Sequence, residues 1–95
     1  MTQEEMIQDY IREVEEHDFK VNEHVFSNNS AKKIELFISK KDQQKQFLMI
    51  TFNVDPYHDG SASIDRLGQA NIDDLMEYCW LFMRTAIFLK DLERF

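Results

Sequence analysis

Three histidines, one cysteine and 18 carboxylates are the side chains of this 95-residue chain with chemistry to offer. His17, His24 and His58 stand far apart. None lies three or four residues from another histidine or from Cys79, so the spacing of a zinc site is missing. Asp55, His58 and Asp59 share the stretch DPYHDGSAS. Together they would present two carboxylates and an imidazole to a metal or a proton in transit. The same residue types are what a turn uses to bond its own backbone, and a turn is the simpler expectation. Two isolated glycines cannot build a phosphate-cradling loop. Cys79 lies among apolar neighbours and is expected as a buried, inert thiol. Paired carboxylates for acid–base work cannot be told from a solvated acidic face. The expectation is a non-enzymatic protein with no catalytic residues, no cofactor and no metal.

The elements that would position these residues are well signalled. Thr2 is placed to cap a first helix, with Glu5 three residues on as in a capping box and Met1 and Met6 as a hydrophobic staple. Met6, Ile7, Tyr10, Ile11 and Val14 share one face, and the helix should end near His17–Asp18. Period two follows. Phe19, Val21 and Val25 alternate with polar residues, SNNS (27–30) reads as a turn, and KIELFIS (33–39) sets Ile34, Leu36 and Ile38 on one face. QFLMITFNV (46–54) sets Leu48, Ile50, Phe52 and Val54 on one face and Phe47 and Met49 on the other. Three strands on short links predict an antiparallel meander. The run containing the only proline then breaks the pattern, and residues 64–67 fit a short helix or a fourth strand equally. Asn71 caps a final helix from about 72 to 94, with Asp73 and Asp74 in its first turn.

That helix carries apolar residues on two sides. On a wheel of ~100° per residue, Ile72, Leu75, Met76, Cys79, Phe82, Met83, Ala86 and Ile87 form a broad side, expected to cover the sheet. Leu81, Phe88, Leu92 and Phe95 fall opposite, with heptad-like spacing, and are expected as an exposed contact for a homodimer or a partner.

The charge of −7 lies in two blocks. Residues 1–20 hold 7 acidic and 2 basic side chains, and residues 51–75 hold 5 and 1. Such a surface disfavours direct nucleic-acid binding, which needs a positive footprint. It favours a protein partner with a basic surface, met by Glu5, Asp9, Glu13 and Glu16 of the first helix and Asp73, Asp74 and Glu77 of the last. Arg84 and Lys90 interrupt the C-terminal apolar run, so no membrane span is expected. The polar N-terminus and lone cysteine point to the cytoplasm.

MIQDYIREVEEHDFKV, followed by the strands KKIELFIS and FLMITFNV, resembles in layout the small acidic phage-encoded anti-CRISPR inhibitors of bacterial defence. The resemblance covers about half the chain and rests on no diagnostic motif. It implies inhibition of a nucleic-acid-binding defence protein, with DNA mimicry as one route. Duplex DNA carries a charge per ~1.7 Å, whereas helical neighbours stand roughly 5–6 Å apart. Mimicry would therefore need both acidic blocks on one side of the fold. Double-stranded-RNA-binding domains share the element order but use a basic start to the last helix, where this chain has NIDDLMEY. Small dimeric secretion chaperones are a further layout analogue. They would make the protein an adaptor holding a client segment on the sheet face of Phe37, Phe47 and Met49. The expected fold is thus a single α+β domain over 1–95, ordered α-β-β-β-α. A three-stranded antiparallel sheet would carry both long helices mainly on one face.

Overall fold

The computed structural model describes residues 2–43, 46–65 and 70–95. It has the order α1 (Gln3–Glu16), β1 (Phe19–Asn28), β2 (Ala31–Lys40), β3 (Leu48–Asp55), β4 (Asp59–Ile64) and α2 (Ile72–Glu93). The fold is α+β as expected, but the antiparallel sheet has four strands, in the order β1-β2-β3-β4. Of the undecided stretch 64–67, Ile64 ends β4, while residues 66 and 67, like the Met1 staple and Gly68, lie outside the described residues.

Each element follows from local chemistry. Thr2 Oγ1 accepts from the Glu5 N–H at 3.1 Å and donates to Glu5 Oε1 at 3.0 Å, so the cap closes through the hydroxyl. Asn71 Oδ1 accepts from the Asp74 N–H at 2.8 Å at the start of α2. In the β1–β2 hairpin Asn28 pairs with Ala31. Asn29, at φ 35°, supplies the left-handed residue that asparagine tolerates.

The strand register sorts the sheet into two faces. Val21, Ile38, Leu48 and Ile64 form one row toward the helices, Leu36, Ile50 and Ala62 the next, and Ile34, Phe52 and Gly60 the third. The parity expected for β2 and β3 therefore holds. Met6, Ile7, Tyr10 and Val14 of α1 and Tyr78, Leu81, Phe88 and Leu92 of α2 close the core over this face. Burying each large side chain is worth roughly 1.5–3 kcal/mol.

The sequence allows a fourth strand only from residue 64 onward; β4 begins earlier, at Asp59, and goes undetected there because its inward positions before Ile64 are small. A Cβ on Gly60 would stand 2.8 Å from Phe52 Cβ and 2.9 Å from Leu89 Cδ2. Where α2 comes that close, the strand can offer only Gly60 and then Ala62, which leave no apolar alternation to detect.

The two helices run antiparallel. Tyr10 stacks on Phe88 with centroids 4.5 Å apart, and His17 stacks on Trp80 at 3.5 Å. Among the described residues no helix is long and apolar enough to cross a membrane.

Candidate interaction surface

The face that α2 turns to the core is the opposite of the one expected. Leu81, Phe88 and Leu92 are 0% exposed, enclosed within a single chain, and cannot form a dimer contact; Phe95 is half-exposed at the chain end. Near Phe95 the His58 ring lies edge-on at 6.3 Å. The buried row is Tyr78, Leu81, Thr85, Phe88 and Leu92, an alternation of three and four residues. The reason for the inversion is polar. Arg84 Nε donates to Glu13 Oε2 at 2.6 Å, and the Tyr10 and Thr85 hydroxyls meet at 2.6 Å. The buried Tyr10 hydroxyl has this partner only if α2 presents its 81–85–88 side to α1, and the Arg84–Glu13 pair forms in the same orientation. Two apolar stripes on one helix leave the choice open in a sequence. The complementary pairs, 71 and 75 residues apart, are the signal that decides it.

The consequence is an outward apolar row. Ile72 is 76% exposed and Met76 and Met83 are each 66% exposed, with Leu75 and Ile87 about half-exposed. Cys79, expected to be buried, is exposed in the same row. From Ile72 to Ile87 the row runs about 22 Å along the helix at 1.5 Å per residue. Asp73 flanks one end and Lys90 and Arg94 the other. These exposed apolar side chains stand along one side of α2, turned away from the core.

The acidic residues are divided by the fold. Antiparallel packing brings the C-terminal end of α1 beside the N-terminal end of α2, so members of both acidic blocks meet there. Several are already engaged. Glu13 holds Arg84, and Glu77 Oε2 lies 3.0 Å from His17 Nδ1. Asp74 and Asp18 hold the buried Lys40 ammonium at 2.9 and 3.4 Å. Lys40 also lies 5.6 Å from the centres of the Phe19 and Tyr78 rings. Desolvation pulls the Lys40 pKa down, but the hydrogen bonds and charges of Asp74 and Asp18 outweigh it and raise it overall. Asp9 pairs with Arg12 at 3.0 Å, and Glu16 reaches the same arginine at 4.0 Å. Glu5 serves the cap at the other end of α1. Asp73 is exposed in the first turn of α2.

The other expected sites are reduced. Phe47 does not join Phe37 and Met49 on the open sheet face; it precedes β3 and is buried against Phe19 and Tyr78. Phe37 and Met49 remain as a cross-strand pair, half-buried among Asn22, His24 and Glu35. Asp59 accepts from Asn53 Nδ2 at 2.8 Å across the β3–β4 pair, a structural use of a residue of the DPYHDGSAS stretch. Among the described residues no three His, Cys, Asp or Glu side chains converge as a metal-ligand set. No family model matches the chain, and no curated protein or solved structure matches it either.

Proposed function

We propose that the protein is a non-enzymatic protein-interaction module whose main contact surface is the outer face of α2. One observation carries this reading. Ile72, Leu75, Met76, Met83 and Ile87 stay exposed on a helix whose other side is fully buried. Leaving such side chains in water forgoes the transfer energy that burial would return, and an exposed patch of this size is a liability unless a partner covers it.

A protein with a basic surface fits the remaining charge. The net charge of −7, with acids from both helices drawn to one end of the molecule, would steer such a partner. A nucleic-acid-binding defence protein, inhibited at its basic cleft in the manner of anti-CRISPR proteins, is the form of partner suggested by the layout. A reducing, cytoplasmic setting agrees with a lone, exposed cysteine.

The test is photo-crosslinking in the native cell, with a photoreactive amino acid at Met76 or Met83 and, as a control, at exposed Ser61 on the open sheet face. Adducts from the α2 positions alone support the reading. Absence of any protein adduct there would sink it. Charge steering is tested on any other protein captured with the chain, whose binding should weaken steeply with added salt.

A further inference from the structure

We infer that the occupant of the α2 outer face is a second copy of this chain, lying antiparallel across a two-fold axis beside Cys79. The inference rests on the reading of that face as a contact surface. It goes further by naming the partner, the register and the residues that meet.

The row is self-complementary under reversal. Ile72 and Ile87 are equidistant from the midpoint between residues 79 and 80, and so are Met76 and Met83. An antiparallel copy therefore sets Ile72 against the second Ile87 and Met76 against the second Met83. Cys79 comes next to its own counterpart. Intervals of four, three, four and four residues between Ile72, Met76, Cys79, Met83 and Ile87 keep one seam facing a neighbouring helix. Ala86 is small and exposed beside the seam, which permits close approach.

Charge selects the direction. The exposed Asp73 stands at the start of α2, and Lys90 and Arg94 stand at its end. A parallel copy would set like charge against like. An antiparallel copy sets Asp73 against the second Ala86, one turn from the second Lys90, and opposes the helix dipoles favourably. Lys90 and Arg94 are held in their own chain only by exposed pairs to Glu93 at 3.7 Å and Asp91 at 3.6 Å. Pairs of that kind are weak and exchange readily. A two-fold interface uses each contact twice, so one row of this length serves both copies.

The purified chain tests this directly by sedimentation. The parent should sediment as a dimer, and Met76→Glu/Met83→Glu as a monomer with unchanged circular dichroism. Asp73→Lys should weaken the dimer about tenfold, because the pair counts twice. Adding Lys90→Asp should restore it. Diamide, taking two electrons and two protons from a pair of thiols, should join the parent through Cys79 and leave Cys79→Ser unjoined. A parent that stays monomeric at every concentration overturns the inference, as does a charge swap that fails to restore association. Crosslinks in the cell to a foreign protein alone, with a monomeric purified chain, would overturn the second copy while leaving the contact surface standing.

Discussion

Tyr10 of α1 and Thr85 of α2 join their hydroxyls across 2.6 Å inside the core, 75 residues apart in sequence. Thr85 Oγ1 donates to the Leu81 carbonyl at 2.7 Å, so its own proton is committed and Tyr10 is the donor. The chain Tyr10 to Thr85 to Leu81 ties the two helices with every buried polar atom in it satisfied. Thr85→Val keeps the shape but strands the phenol, and should destabilise the fold by about 1–3 kcal/mol. Tyr10→Phe should cost less, since Thr85 still donates to Leu81. The double variant should recover much of the loss, because both polar groups are then gone together. Urea unfolding of the four proteins measures the cycle; additive losses would show that the two hydroxyls are not coupled.

Alkaline pH should weaken the same region. Burial raises the Tyr10 pKa well above its ordinary value of 10.0, against the opposing Thr85 hydrogen bond and Arg84 charge. Burial also raises Tyr78 from 10.0, and the Lys40 pKa is raised from 10.5. Each group holds its proton longer in the folded chain than in the unfolded one. Their stabilisation is therefore fully present below the unfolded values and is lost as pH rises through the folded ones. Unfolding free energy should decline above pH 10, and Tyr10→Phe should flatten that decline. Denaturant melts across the alkaline range check it; an unchanged slope in Tyr10→Phe would count against the buried phenol as the cause.

Much of this fold is legible from residue types. The alternation of Ile34, Leu36 and Ile38 and of Leu48, Ile50, Phe52 and Val54 reports a half-buried sheet directly. Thr2 and Asn71 announce the helix starts, and SNNS the hairpin. Which side of α2 faces outward is harder to read, for a physical reason. The hydrophobic pattern says that a residue is apolar, not which neighbour will cover it. α2 has two apolar stripes, and a geometric wheel cannot rank them. The ranking comes chiefly from Tyr10, whose buried hydroxyl needs the partner that Thr85 provides, with the Glu13–Arg84 ion pair alongside it. Phe47 misled in another way. It sits one residue before β3, where the backbone leaves strict alternation and the ring turns in toward Phe19 and Tyr78.

The hidden strand offers a sharp packing test. Gly60 lies where an added Cβ would stand 2.8 Å from Phe52 Cβ, 2.9 Å from Leu89 Cδ2 and 3.0 Å from the Thr51 carbonyl oxygen. The leucine tip can swing away, but the backbone oxygen and the Phe52 Cβ cannot without moving β3. Gly60→Ala should therefore destabilise the protein by about 1–3 kcal/mol through overpacking. Leu89→Ala in the same chain should relieve part of the strain but not all. Thermal melts of the single and double variants check it, and a neutral Gly60→Ala would mean that α2 and β4 do not approach this closely.

Lys40 of β2 ties the start of α2 and the entry to β1 together at one point. Its side chain is only 6% exposed, whereas those of Asp74 and Asp18 are 34% and 58% exposed. The carboxylates can rehydrate if the lysine is removed; the ammonium cannot if they are. Lys40→Met keeps the apolar stem against Phe19 and Tyr78 and should cost less than Asp74→Asn, which leaves a buried charge short of its nearer partner. Asp18→Asn, at the longer and wetter contact, should be the mildest of the three. The expected order of stability loss is Asp74→Asn, then Lys40→Met, then Asp18→Asn, read from denaturant midpoints at neutral pH. If Asp18→Asn proved the most damaging, the start of α2 would not be the place where this lysine is anchored.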